Sequence, residues 1–203
     1  MRPTYTVQVT GIRCGVEGTR YGWHGSRFKV VANQQLMKLV SRIFLASLFC
    51  CLSLYAADLS DLTWTTTNGE VTITDCDEGA TGELVIPNTI EGNPVTSIGS
   101  SAFLRCTSLT SITLPDSVTS IGDGAFRDCT SLTSITIPDS VTSIGSSTFS
   151  RCASLTSITL PDGVTSIGDF AFRNCSSLTS ITLPDGVTSI GPSTFDFCSS
   201  LTR

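Results

Sequence analysis

The sequence predicts a repeat solenoid, mainly β, built from coils of 23 residues. Three observations carry this. The pentapeptide Val-Thr-Ser-Ile-Gly begins at Val95, Val118, Val141, Val164 and Val187, each 23 residues after the last with no insertion or deletion. Strict self-similarity at such a period marks stacked coils. Within each copy, apolar and hydroxyl residues alternate, as in Ser134-Ile135-Thr136-Ile137, the pattern of a strand with one buried face. Finally, one copy carries too few large apolar side chains to order itself, so neighbouring copies must stack to bury a continuous core.

Charge divides the 203-residue chain. Residues 1–57 hold seven Lys/Arg and one acid, whereas residues 58–203 hold five Arg, sixteen Asp/Glu and no Lys. The second part is therefore acidic. That argues against a nucleic-acid partner, because phosphate binding needs stripes of Lys and Arg.

Met37-Lys38-Leu39-Val40-Ser41-Arg42 is a short basic segment followed by the apolar run Ile43–Tyr55 and then Ala56-Ala57-Asp58. A basic start, a short apolar stretch and small residues before an acid are the parts of a secretory signal peptide, expected over residues 37–57. The run is shorter than the ~20 residues a membrane-crossing helix needs. An uncleaved anchor and a buried core segment are the alternatives. Cleavage is expected after Ala56 or Ala57. Cys50 and Cys51 lack the preceding small residues of a lipoprotein site. Since signal peptides begin proteins, Met37 is read as the initiator and residues 1–36, which include the single histidine His24, as a doubtful extension; a genuine N-terminal extension is the alternative.

Residues 58–83 are expected to form a capping hairpin. Leu62–Thr67 and Glu70–Thr74 alternate, and Asn68-Gly69 between them suits a type I′ turn, in which both central residues need positive φ. Trp64, Val71 and Ile73 should face the core and cover the first coil's apolar face; an exposed binding role for Trp64 is the alternative. Residues 84–203 then hold the repeats. Leu84-Val85-Ile86-Pro87 enters the pattern, and Glu91-Gly92-Asn93-Pro94 makes the first coil a variant.

In the regular copy, Leu132-x-x-Ile135-x-Ile137 places a short strand on one side of the coil. Pro138, with fixed φ and no N–H, ends that strand. Val141-Thr142-Ser143-Ile144 is a second extended piece on the opposite side, and Gly145 is expected to permit the corner after it. The pattern Gly-x-x-Ala-Phe-x-x-Cys-x-x-Leu-x-x-Ile-x-Leu/Ile-Pro-x-x-Val-x-x-Ile, running from Gly99 to Ile190, resembles the BspA-type leucine-rich repeat of bacterial surface proteins. Thr148 and Thr194 depart from it, replacing the usual Ala before Phe. The resemblance implies 23-residue leucine-rich-repeat coils with a parallel β-sheet, displayed at the cell surface in adhesion or protein binding, and it brings no catalytic residues. Copies also alternate: those at Gly122 and Gly168 carry Asp123 and Asp169 with Arg127 and Arg173, while those at Gly99 and Gly145 carry Ser-Ser with Arg105 and Arg151. Growth by duplicated pairs of coils accounts for this. The chain stops in mid-repeat at Leu201-Thr202-Arg203, as expected of a piece of a longer protein.

The residues that could carry chemistry are few. Cys106, Cys129, Cys152, Cys175 and Cys198 form a ladder, read as buried thiols packing a corner; disulfides between neighbouring coils are the alternative. Metal binding is disfavoured, since the region has no histidine and the ladder no Cys-x-x-Cys pair. Asp116, Asp139, Asp162 and Asp185 each follow a proline, where an aspartate is expected to bond nearby backbone. With neither His nor Lys beyond residue 57, nucleophilic mechanisms lack their usual base. No enzyme activity, cofactor or metal is expected.

The expected ligand-facing strand surface is Ser111, Thr113, Ser134, Thr136, Ser157, Thr159, Ser180 and Thr182, which alternate with buried residues and build a flat, neutral hydroxyl face. Its plainer reading is a solvated sheet surface. The functional expectation is a secreted or cell-surface module binding a protein, matrix or glycan partner. An envelope spacer without a ligand, or a remnant of a longer multidomain protein, is the alternative.

Overall fold

The computed structural model describes residues 56–202. The segments read as a doubtful extension and as a signal peptide lie outside the described residues, apart from Ala56 and Ala57. A short 3-10 turn, Leu59–Asp61, comes first. Asp58 caps it by accepting the Ser60 N–H at 2.7 Å, while Asp61 accepts the Asp58 N–H at 3.0 Å.

The hairpin follows as expected. β1 (Leu62–Thr67) and β2 (Glu70–Cys76) pair antiparallel around Asn68 (φ 54°) and Gly69 (φ 81°). Val71 and Ile73 are fully buried, and Trp64, half-buried, packs against the core opposite Ile73. β3 (Thr81–Val85) forms the first rung of the sheet that the repeats continue. The variant residues build a second hairpin: β4 (Thr89–Ile90) and β5 (Asn93–Ile98) pair antiparallel through Glu91 (φ 53°) and Gly92 (φ 81°). β5 also pairs parallel to β2, which joins cap to repeats.

Beyond this point the coils are regular. One ladder comprises β6 (Ser108–Thr113), β8 (Ser134–Thr136), β10 (Ser157–Thr159) and β12 (Ser180–Thr182). The other comprises β5 with β7 (Ser120–Ile121), β9 (Ser143–Ile144), β11 (Ser166–Ile167) and β13 (Ser189–Ile190). All pairs between successive coils are parallel and in identical register, such as Ile112↔Ile135 and Ile167↔Ile190. Strand pairing is interrupted once in each ladder, since neither β7–β9 nor β8–β10 is paired. Beside the β7–β9 gap the Asp123 carboxylate accepts the Ser146 N–H at 2.7 Å.

A third bonded side lies between the corner glycine and the cysteine. Ser101, Phe103 and Arg105 donate their N–H groups to Asp123, Ala125 and Arg127 of the next coil at 2.7–3.0 Å, and the next three coils repeat this. The intervening Ala102, Leu104 and Cys106 donate back within their own coil. Two residues per coil adopt positive φ to achieve this alternation: 101 and 105, then 124 and 128, 147 and 151, 170 and 174, 193 and 197. Only one of the ten is glycine, so stacking imposes the conformation against the residues' own preference.

The corner glycines serve a purpose different from the expected one. Gly99, Gly122, Gly145, Gly168 and Gly191 are not in the left-handed region. A Cβ on Gly122 would stand 2.5 Å from Ser100 N, and one on Gly168 2.6 Å from Ser146 N. At these positions glycine is needed because successive coils touch backbone to backbone, whereas at Gly145 the close neighbour is the Asp123 carboxylate. Between the three sides runs the core. Phe103, Phe126, Phe149, Phe172 and Phe195 stack with ring centroids 5.2–5.6 Å apart, flanked by columns of Leu, Ile, Val and Ala. The departures Thr148 and Thr194 are buried in this core, and their hydroxyls donate to Gly145 O at 2.9 Å and Gly191 O at 2.7 Å. Turning the hydroxyl onto a free carbonyl is what lets threonine stand where alanine is usual.

Candidate binding surface

The sequence-predicted face is assembled as a grid. Ser111, Thr113, Ser134 and Thr136 pair across β6 and β8, and Ser157, Thr159, Ser180 and Thr182 across β10 and β12. Ser111 is half-buried and the other seven are exposed, while Ile112, Ile135 and Ile158 between them are buried. Rungs about 4.8 Å apart and side chains two residues along a strand, roughly 6.6 Å, set the mesh.

Some hydroxyls near this face are committed to backbone. In the adjacent threonine column, Thr133 Oγ1 donates to Thr110 O at 2.9 Å, Thr179 Oγ1 to Thr156 O at 3.1 Å and Thr202 Oγ1 to Thr179 O at 3.4 Å, whereas Thr110 and Thr156 make no such bond. On the other ladder Thr119, Thr165 and Thr188 likewise donate to the preceding coil's carbonyl at 3.3–3.4 Å. Among the described residues, the eight grid hydroxyls make no such bond and keep both donor and acceptor capacity for a ligand.

The grid extends further than the sequence reading placed it. Glu83 and Val85 of β3 lie in register with Ser111 and Thr113, adding one acid and one apolar side chain, Val85 being 67% exposed. Aligning Glu83-Leu84-Val85-Ile86-Pro87 with Ser134–Pro138 would have revealed them. The aspartates after proline correct an expectation. Asp116, Asp139, Asp162 and Asp185 are exposed and make no side-chain hydrogen bond to the turn. The turn is closed by backbone instead, as in Val141 N–H to Pro138 O at 3.0 Å. Elsewhere Asp128 bridges Arg127 and Arg151 of neighbouring coils, both at 3.4 Å. The equivalent position in the copy at Gly168 is Asn174, so the bridge is not repeated there, and exposed pairs contribute only up to about 1 kcal/mol.

The cysteine column is more than packing. The thiols of Cys129, Cys152, Cys175 and Cys198 donate to the carbonyls of Phe103, Phe126, Phe149 and Phe172 at 3.0–3.1 Å. All are free thiols. Burial pushes Cys175 up to about 12, and raises Cys129, Cys152 and Cys198 as well. At Cys76 contact with the Cys106 thiol raises it first, and burial second. Native thiols therefore keep protons that unfolded thiols lose. Their contribution to stability is whole below the ordinary thiol value of 9.0 and is lost as pH rises from there through about 12. Residues 58–203 contain no His, Lys or Tyr to titrate in the same window. Raising pH from 8 to 10 should thus cost about 1 kcal/mol per buried thiol. Urea midpoints measured across that range should fall steadily; a flat profile would contradict the thiol-donor account.

Comparison with known proteins agrees with this architecture. The model of the BspA type leucine-rich repeat region matches residues 83–203 in 6 copies. No curated protein matches the chain. Among solved structures, the Treponema pallidum (T. pallidum) leucine-rich repeat protein is similar at 32% identity and TM-score 0.68, over 73% of this chain and 70% of that one. A leucine-rich repeat protein from Bacteroides ovatus is similar at 40% identity and TM-score 0.64, over 70% of this chain and 38% of its own. A leucine-rich cell surface protein from Faecalibacterium prausnitzii is similar at 34% identity and TM-score 0.65, over 70% of this chain and 36% of its own. The chain thus spans little more than a third of two of these three relatives. With the coil period, both ladders and the buried Phe and Cys columns in place, the chain belongs to the BspA-type leucine-rich-repeat family.

Proposed function

We propose that the chain is a secreted or cell-surface recognition module, without catalytic activity, whose Ser/Thr grid contacts a protein or a matrix or glycan partner. The observation that carries this is the paired, in-register array of hydroxyls on the longer strands, seven of the eight exposed and none bonded to backbone. A repeated neutral array of donors and acceptors suits a polar, extended partner surface, where hydrogen bonds set register and orientation. The cell-surface placing of the Faecalibacterium relative supports the same reading. A pull-down with the purified chain from surface and matrix extracts tests it. A partner retained by the wild type and lost from a variant with Arg at positions 136 and 159 supports the proposal; a partner retained equally by both counts against it.

Export has its own test. The Ala57 N–H donates to Thr81 O at 2.7 Å, and the Ala57 side chain is buried. Cleavage after Ala56 keeps that contact, whereas cleavage after Ala57 removes it. Mass spectrometry of the exported protein should give Ala57 or Asp58 as its first residue, and an exported chain that retains residues 37–56 would contradict cleavage there.

A further inference from the structure

The six thiols of the described residues do not all make the same contact. Four of them donate to the carbonyl of a phenylalanine 26 residues earlier. Cys106 has no phenylalanine-bearing coil before it, because what precedes it is the capping hairpin. Its Sγ lies instead 3.8 Å from Cys76 O and 3.8 Å from Asp77 O. Cys76, the last residue of β2, directs its own Sγ to the same Asp77 carbonyl, also at 3.8 Å. Two sulfurs from segments 30 residues apart in the chain thus converge on one oxygen. The remaining thiols point in parallel along the coil axis, each occupied by its own carbonyl, an arrangement that does not bring sulfur to sulfur.

We propose that Cys76 and Cys106 form a disulfide site that fastens the N-terminal hairpin to the first coil. The bond closes by exchange with a small oxidised disulfide such as oxidised glutathione. One cysteine thiolate attacks a sulfur of the oxidant, forming a mixed disulfide and releasing one reduced thiol. The second cysteine thiolate then attacks the protein sulfur of that mixed disulfide and releases the other reduced thiol. Two protein thiols lose two protons and two electrons, and the oxidant becomes two thiols. Cys76 and Cys106 are 3% and 0% exposed, so the exchange belongs to folding, before the hairpin has docked. The chemistry does not depend on export, and a test with purified protein keeps the two readings separable.

The test uses the full chain, unfolded with denaturant and reductant and refolded in a glutathione redox buffer. The monomeric fraction is alkylated and digested without reduction for mass spectrometry. A peptide pair joined through Cys76 and Cys106, lighter by two hydrogens than the two thiol peptides, is the expected product, with Cys129, Cys152 and Cys175 alkylated only after unfolding. Reductant should then lower the melting temperature of the wild type and leave that of Cys106→Ser unmoved. Recovery of Cys76 and Cys106 as alkylated thiols from protein with native circular dichroism overturns the proposal. So does a bond joining ladder neighbours such as Cys129 and Cys152.

Discussion

Phe149→Ala should cost about 3–5 kcal/mol of stability, the range for emptying a large buried aromatic site. Its ring lies between those of Phe126 and Phe172, with centroids 5.4 Å away on both sides and interplanar angles of 9° and 10°. It is fully buried. The cavity therefore opens at two coil interfaces at once, and each interface is a term in the stability of a solenoid. Because domains are stable by only about 5–15 kcal/mol, this single change should remove a large share of the total. A urea titration followed by circular dichroism measures it. A loss below about 1 kcal/mol would mean that the ring column can collapse onto the gap, against the packing described.

Gly168→Ala is the second. In most helices and strands the same exchange is favourable, because alanine restricts the unfolded chain. Here the added Cβ would stand 2.6 Å from Ser146 N and 2.7 Å from Gly145 C, both backbone atoms that no rotamer change can move. The coils must part, straining the Gly168 N–H to Ile144 O bond of 2.8 Å beside it. A loss of about 2–3 kcal/mol is expected, the upper part of the overpacking range. Gly163→Ala is the matched control, since its nearest atom would be Asp139 O at 3.3 Å, a contact that a small shift relieves. Thermal melts of the two variants side by side should show a much larger drop for position 168; equal drops would contradict the backbone-contact account.

Much of this fold was legible in the sequence because its cause is periodic. The exact 23-residue spacing announces stacking, Ser134-Ile135-Thr136 announces a half-buried strand, and Asn68-Gly69 announces the hairpin turn. What stayed hidden depends on the neighbouring coil. Nothing intrinsic to Ser101, Arg105 or Phe170 favours positive φ; the inter-coil bonds of the third side impose it. The corner glycines looked like turn residues because glycine commonly is one, yet at Gly122, Gly168 and Gly191 it is backbone contact across coils that leaves no room for a Cβ. Cysteine was read as a small apolar filler, and only its placement under a phenylalanine carbonyl makes it a donor. The candidate surface divides in the same way. Alternation alone turns Ser134 and Thr136 outward, but it cannot tell that Thr133 beside them bonds Thr110 O while they remain uncommitted.

The central claim is that the Ser/Thr grid, rather than the second ladder, is the recognition surface. It is tested most directly by comparing two charge-bearing variants for binding to a partner recovered by the pull-down. One places Arg at positions 136 and 159 on the grid; the other places Arg at positions 143 and 166 on the second ladder. Melting temperatures of both are checked against the wild type. Surface plasmon resonance should show affinity reduced at least about tenfold, equivalent to about 1.4 kcal/mol, for the grid variant alone. Loss confined to the second-ladder variant, with the grid variant binding as the wild type does, would contradict the claim.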